Sequence, residues 1–265
     1  MNTNKTRGPG TSIAAAGGFL MLLALPFQRL LDGFELGEFQ QDQLGDIIRN
    51  TFIIIYAYAI IFRFGYKKLG GLGFRKPKNG YLMVIPFYFV ILGIVLYAVF
   101  DYDFSKIEWT DTLILFIAMM FVGFSEEMVF RGFILPDLLQ DYRGDKPQLI
   151  RLIVLASLMF GGLHFFNLFG SDVYIPAIIS QVIYATMFGV AFGVFLLRTG
   201  QLWPLGILHG IINFTFNLPD LPGAYEPTII DEYQWLDAIL SVVIVIPLVI
   251  IALRQVSKID QIPIE

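Results

Sequence analysis

The sequence has 265 residues, of which 56% are hydrophobic and 15% are charged, and its mean hydropathy is +0.69. This apolar share exceeds that of an ordinary soluble domain and predicts a polytopic membrane protein. The net charge of −4, with Lys and Arg scattered along the chain, argues against nucleic-acid binding. Cysteine is absent, which excludes disulfides, thiolate metal ligands and a cysteine nucleophile.

Apolar runs that could cross a bilayer occur eight times along the chain. A span needs about 20 apolar residues, and the candidates are residues 12–31, 47–65, 81–100, 112–138, 149–169, 174–197, 202–218 and 236–253. Lys5 and Arg7 precede the first run as in a secretory signal, but the run is long and lacks a clear cleavage site, so we expect it to be retained. The sequence therefore predicts an all-α bundle of about eight transmembrane helices, with residues 1–265 forming a single domain.

The distribution of basic residues predicts the orientation of the bundle, because Lys and Arg collect in cytoplasmic loops. The loops after the second and fourth predicted spans are basic, and the alternate loops are acidic. The basic residues are Arg63, Lys67, Lys68, Arg75, Lys76 and Lys78 in the first of these loops and Arg143, Lys146 and Arg151 in the second. Both termini are therefore expected to be cytosolic.

Four ionisable side chains within the apolar spans are candidates for a functional site. They are the chain's two histidines, His164 and His209, and the adjacent pair Glu126 and Glu127. Such groups are expensive to place in a bilayer, and they usually face a bundle interior or a polar cavity. They indicate a polar functional site within the membrane.

The fourth span gives its two glutamates different environments. Residues four apart lie on one helix face, so Glu127 is expected to pair with Arg131 and to spare each of them an uncompensated charge. Glu126 points about 100° away and is left as a candidate general base or acid. The alternative is that the span ends early and these charges lie among cytosolic headgroups.

Two other spans carry polar residues at helical spacing. Phe160 precedes His164 by four residues in the fifth span, and His209 precedes Asn213 by four residues in the seventh. Taken singly, each histidine is more readily explained by packing than by catalysis. Together with Glu126 they predict one site assembled from three helices.

The motifs Glu126-Glu127-x-x-x-Arg131, Phe160-x-x-x-His164 and His209-x-x-x-Asn213 follow one another on separate predicted spans. In this order they resemble the signature motifs of the CAAX protease and bacteriocin-processing (CPBP, or Abi) family of intramembrane proteases. The motif-bearing core runs from about residue 112 to residue 217. The resemblance implies a glutamic endopeptidase of a bacterial cytoplasmic membrane, acting on a membrane-associated or lipid-anchored peptide or protein.

The family resemblance also implies roles for single residues. Glu126 and His164 would activate a water molecule, while His209 and Asn213 would donate hydrogen bonds to the oxyanion of the tetrahedral intermediate. The structural residues would be Glu127, Arg131 and Phe160. No cofactor is expected.

Three alternatives are left open by the sequence. Glu126, His164 and His209 could form a zinc site, although the sequence lacks the HExxH motif. A non-catalytic scaffold or chaperone would use the same polar groups to hold helices together. A transporter would use them as a proton relay, although the chain has no evident repeated halves.

Overall fold

The structure is a computed structural model and describes residues 10–73, 78–99, 102–169, 174–224, 234–259 and 262. Within these residues the regular elements are helices, which confirms the predicted fold class. The helices are α1 (Gly10–Leu23), α2 (Glu38–Phe64), α3 (Tyr88–Val99), α4 (Trp109–Glu127), α5 (Leu135–Leu139), α6 (Lys146–Leu163), α7 (Ile175–Thr199), α8 (Trp203–Phe216), α9 (Gln234–Val243) and α10 (Ile246–Val256). Lys5, Arg7, Arg75 and Lys76 lie outside the described residues, and the orientation of the termini stays a prediction.

Seven helical stretches of the described chain are long and apolar enough to cross a membrane, so the protein is an integral membrane protein. They are Gly10–Leu31, Glu38–Phe64, Gly80–Val99, Trp109–Leu139, Lys146–Phe169, Ile175–Thr199 and Ala238–Val256. The remaining predicted span, residues 202–218, corresponds to α8, which has only 14 residues. At 1.5 Å per residue this helix is about 21 Å long, shorter than the roughly 30 Å hydrocarbon core.

The fourth and sixth of these stretches form the centre of the bundle. Within an apolar 18-residue window of each stretch, 50% of the residues are buried in the fourth and 56% in the sixth, against 22–33% in the others. After α4 the chain passes through a π-helical turn, Met128–Ile134, and every residue from Glu127 to Leu139 is buried. Peripheral helices instead expose apolar side chains, such as Ile55 at 59% and Ile91 at 64%, as a lipid-facing surface requires.

Glycines bring α4 and α8 into close contact. Gly123 of α4 faces Gly206 and Gly210 of α8, and a Cβ atom on Gly123 would lie 2.5 Å from the backbone nitrogen of Gly210. Small residues at such an interface let two backbones approach closely. Because Glu126 follows Gly123 by one turn and His209 precedes Gly210, this contact sets how near the two ionisable groups can come.

A second close contact joins α6 and α7. The GxxxG spacing of Gly189 and Gly193 predicts close helix packing, and Gly189 packs directly on α6, where a Cβ atom would lie 2.7 Å from the Cβ of Ser157. From the other side, Gly161 of α6 lies against the backbone of Val182 in α7. Gly189 of the GxxxG motif and Gly161 of α6 therefore let α6 and α7 pack closely within this chain.

Buried hydrogen bonds fix two further helix contacts. Asp137 accepts hydrogen bonds from the hydroxyl groups of Ser12 (2.6 Å) and Tyr66 (2.7 Å), which ties α1 and the turn after α2 to α5. Ser125 donates a hydrogen bond of 2.6 Å to the side-chain oxygen of Asn50, which ties α4 to α2. Both contacts provide partners for polar groups that are buried.

We expect Gly123→Ala to destabilise the protein, because the added methyl group collides with the backbone of α8. Overpacking of this kind costs about 1–3 kcal/mol, and it should lower the thermal unfolding temperature in detergent. Gly17→Ala in α1 is the matched control, because no atom lies within 4 Å of the added Cβ there. If both variants unfold at the wild-type temperature, α4 and α8 are not in the contact described.

Candidate active site

The centre of the site is a buried ion pair on the fourth span. An Nη1 of Arg131 lies 3.1 Å from Oε1 of Glu127, and the side chains of these residues are only 3% and 0% exposed. The predicted pair is therefore present, inside the protein rather than among headgroups. Removing both charges from water is costly, and their mutual attraction offsets that cost only when the geometry is good.

Aromatic rings surround the guanidinium of Arg131. Its Cζ lies 4.4 Å from the ring centroid of Phe160 and 5.8 Å from that of Phe192. An arginine over an aromatic face gains a cation–π attraction that grows when water is excluded. Phe160 therefore contributes to the ion pair, and it also packs edge-on against both histidines, with centroid distances of 5.4 Å to His164 and 6.1 Å to His209.

The imidazole of His209 bridges the two glutamates. Its Nδ1 lies 2.9 Å from Oε1 of Glu127, the same oxygen that pairs with Arg131, and its Nε2 lies 3.5 Å from Oε2 of Glu126. A carboxylate can only accept a hydrogen bond, so Nδ1 carries the hydrogen in this contact. The Glu127 contact therefore fixes the orientation of the ring and turns Nε2 toward Glu126.

Glu126 occupies the less buried position of the two glutamates. Its side chain is 20% exposed, against 0% for Glu127, and it lines a cavity of about 1020 Å³. This volume is at the upper end of the range typical of ligand sites. The predicted difference between the two neighbours is present: Glu127 faces the bundle interior, and Glu126 faces open space.

His164 lines the same cavity from the turn that follows α6. The helix ends at Leu163, so His164 begins the following 3₁₀ turn, and its Nδ1 lies 3.3 Å from the backbone oxygen of Phe160. In the described part of the chain no hydrogen bond or ion pair joins His164 to either glutamate. The structure thus brings Glu126 beside His209, and it places His164 on the wall of the same cavity.

Asn213 lines the cavity one helical turn after His209, as its spacing predicts. Its backbone oxygen accepts a hydrogen bond of 2.7 Å from the side chain of Asn217, another residue of the wall. Asn167 also faces the cavity, and its side chain donates to Gln181 over 2.8 Å. Carboxamide side chains therefore line the same cavity as Glu126 and His209.

The structure adds three polar residues of α2 to this cavity: Asp46, Arg49 and Asn50. They were not predicted as part of the site, because the expected start of the second span at residue 47 left Asp46 in a loop and put Arg49 and Asn50 in the first turn of that span. The α-helix begins nine residues earlier, at Glu38. The signal in the sequence was the pair Asp46 and Arg49 at i,i+3 spacing, directly before an apolar run.

Among the described residues, no three His, Asp or Glu side chains are grouped so that they could hold a metal ion. Glu126 and His209 are close together, whereas His164, the third ligand that a zinc site would use, contacts its own helix. The chelation experiment described below distinguishes the zinc alternative from a metal-free reaction.

Arg131→Ala should strongly destabilise the protein, because it leaves the buried carboxylate of Glu127 without its cation. Removing one partner of a buried pair typically costs about 3–5 kcal/mol, which thermal unfolding in detergent will detect. The double variant Glu127→Gln with Arg131→Met removes both charges, and it should recover much of the lost stability. An Arg131→Ala protein as stable as the wild type would contradict a structural role for the pair.

Comparison with known proteins gives one match, which covers the helices of this site. Residues 108–215 match the family described as type II CAAX prenyl endopeptidase Rce1-like. No curated protein and no solved structure matches the chain. The matched segment contains Glu126, Glu127 and Arg131, the Phe160-x-x-x-His164 motif, and His209 with Asn213. In this segment the chain is similar to the CAAX protease family, and the match supports the resemblance that the three motifs indicate.

Proposed function

We propose that this protein is an intramembrane endopeptidase of the CAAX type that hydrolyses a peptide bond with Glu126 as general base. The observation that carries the proposal is the approach of Glu126 and His209, which come from different helices and lie 3.5 Å apart at the wall of a large cavity. The family match over the same helices supports the reaction class.

The substrate that fits best is a protein or peptide that carries a lipid near its C-terminus. The matched family is described as a prenyl endopeptidase, and prenyl groups are attached to the cysteine of a C-terminal CAAX sequence. Much of the cavity wall is apolar, with Phe19, Phe89 and Phe188 among its residues. Such a wall can hold a lipid chain while the polar residues face the peptide.

Hydrolysis needs a base for the water and donors for the oxyanion. In our proposal Glu126 takes a proton from a water molecule as the oxygen attacks the carbonyl carbon, and the carbonyl oxygen becomes negatively charged. Glu126 then passes the proton to the leaving nitrogen as the C–N bond breaks. General base catalysis of this kind contributes about 10²–10⁴ in rate.

His209 and Asn213 are proposed as the donors to the oxyanion. The role proposed for His209 uses the doubly protonated ring, in which both nitrogens are donors. In that form Nε2 carries a hydrogen on the cavity side, because Nδ1 already donates to Glu127. Asn213 lies one turn along the same helix and offers an amide donor. Each donor to an oxyanion typically raises kcat by about 10²-fold or more.

His164 is proposed to orient the water with Glu126 once the peptide is bound. Its ring lines the cavity next to Phe160. Catalytic hydrogen bonds are often long before substrate binds and shorten in the complex. Phe160 would hold both histidine rings through its edge-to-face contacts.

Glu126→Gln should abolish cleavage of a prenylated CAAX peptide while the protein stays folded. The amide keeps the size of the side chain and removes the base, so kcat should fall by at least about 100-fold. Cleavage is measured by mass spectrometry in detergent or vesicles, and folding by thermal unfolding. Glu35→Gln, at an exposed position, is the control and should cleave like the wild type. A Glu126→Gln protein with wild-type turnover would disprove the assignment.

Removal of metal ions should leave the activity unchanged, because the proposed reaction uses only side chains and water. The protein is dialysed against a chelator, its metal content is measured, and cleavage of the same peptide is followed. Loss of activity that returns on addition of zinc would instead support the zinc alternative with Glu126, His164 and His209 as ligands.

A further inference from the structure

The cavity contains a second charged pair that the proposed reaction does not use. Asp46 and Arg49 both line the cavity from α2, and an Nη2 of Arg49 lies 2.6 Å from Oδ1 of Asp46. Both residues lie within the candidate span Glu38–Phe64. Ionisable residues in such a segment are costly, and they commonly mark the path or the binding site of a substrate.

Arg49 and Glu126 lie at a similar height on neighbouring helices. Asn50, the residue after Arg49, accepts a hydrogen bond of 2.6 Å from Ser125, the residue before Glu126. The axes of packed helices are roughly 8–10 Å apart, and three extended residues also span about 10 Å. A short peptide can therefore lie between the base on α4 and the guanidinium on α2.

The guanidinium of Arg49 has N–H donors that its ion pair with Asp46 does not use. A guanidinium offers five N–H groups, and in the described structure its ion pair with Asp46 is made through Nη2, while its buried Nε has no hydrogen-bond partner. The side chain is 21% exposed, so part of it is open to the cavity. The planar arrangement of these donors suits a carboxylate, which can accept two of them at once.

We propose that Arg49 binds the free C-terminal carboxylate of the peptide substrate, with Asp46 holding the guanidinium in position. This inference rests on the proposed function and identifies the part of the substrate that α2 recognises. A binding site for the chain end makes Arg49 a specificity-determining residue, because it favours a bond close to a free C-terminus over an internal bond.

The test compares two farnesylated CAAX peptides that differ only at the C-terminus, one with a free carboxylate and one with an amide. The wild type should favour the carboxylate by about 10- to 100-fold in kcat/KM, mainly through KM, as for hydrogen bonds between charged groups. The double variant Asp46→Asn with Arg49→Gln removes both charges without stranding Asp46, and its preference should fall to near one. A wild-type preference near one would already overturn the inference.

Arg63→Gln is the matched control, because Arg63 lies near the other end of α2, is exposed and does not line the cavity. It should keep the wild-type preference, and a loss as large as that of the double variant would overturn the inference. Binding of the two peptides to the Glu126→Gln protein, followed by fluorescence anisotropy, separates this inference from the proposed function. Equal binding contradicts the role of Arg49, whereas selective binding without cleavage by the wild type contradicts only the proposed hydrolysis.

Discussion

The structure depends on one carboxylate that is fully removed from solvent. A single oxygen of Glu127 meets both Arg131 and His209, and so joins the fourth span to α8 at the centre of the bundle. An isolated charge there would be prohibitively costly, so the partners have to be held firmly. The neighbouring features supply that constraint: aromatic rings enclose the guanidinium, and glycines let α4 and α8 approach. The orientation of the His209 ring follows from this arrangement.

The arrangement explains how two identical neighbours in the sequence acquire different chemical environments. A helical rotation of about 100° per residue turns Glu127 into the bundle and Glu126 toward the cavity. The first is neutralised by its partners, whereas the second keeps its exposure and stands next to an oriented imidazole. In the proposed reaction the structural pair therefore orients the imidazole that stands beside the base Glu126.

Sequence reasoning predicted the features that depend on local helix geometry. The Glu127–Arg131 pair, the outward turn of Glu126 and the shared face of His209 and Asn213 all follow from residues three or four apart. It could not predict which histidine meets Glu126, because that depends on where α6 ends and how closely α8 approaches. The place of Arg49 in the cavity could not be predicted for a related reason. Hydropathy detects the apolar part of the second span but not the polar first turns of α2, which begins at Glu38.

The 14 residues of α8 have a consequence for the membrane around the site. A helix roughly 9 Å shorter than the hydrocarbon core either ends below the interface or is met by a locally thinned bilayer. In both cases headgroups and solvent come nearer to an end of α8 than they do at a helix that crosses the whole core. Water can therefore approach the helix that carries His209 and Asn213 at a smaller elastic cost to the bilayer than beside a full-length span.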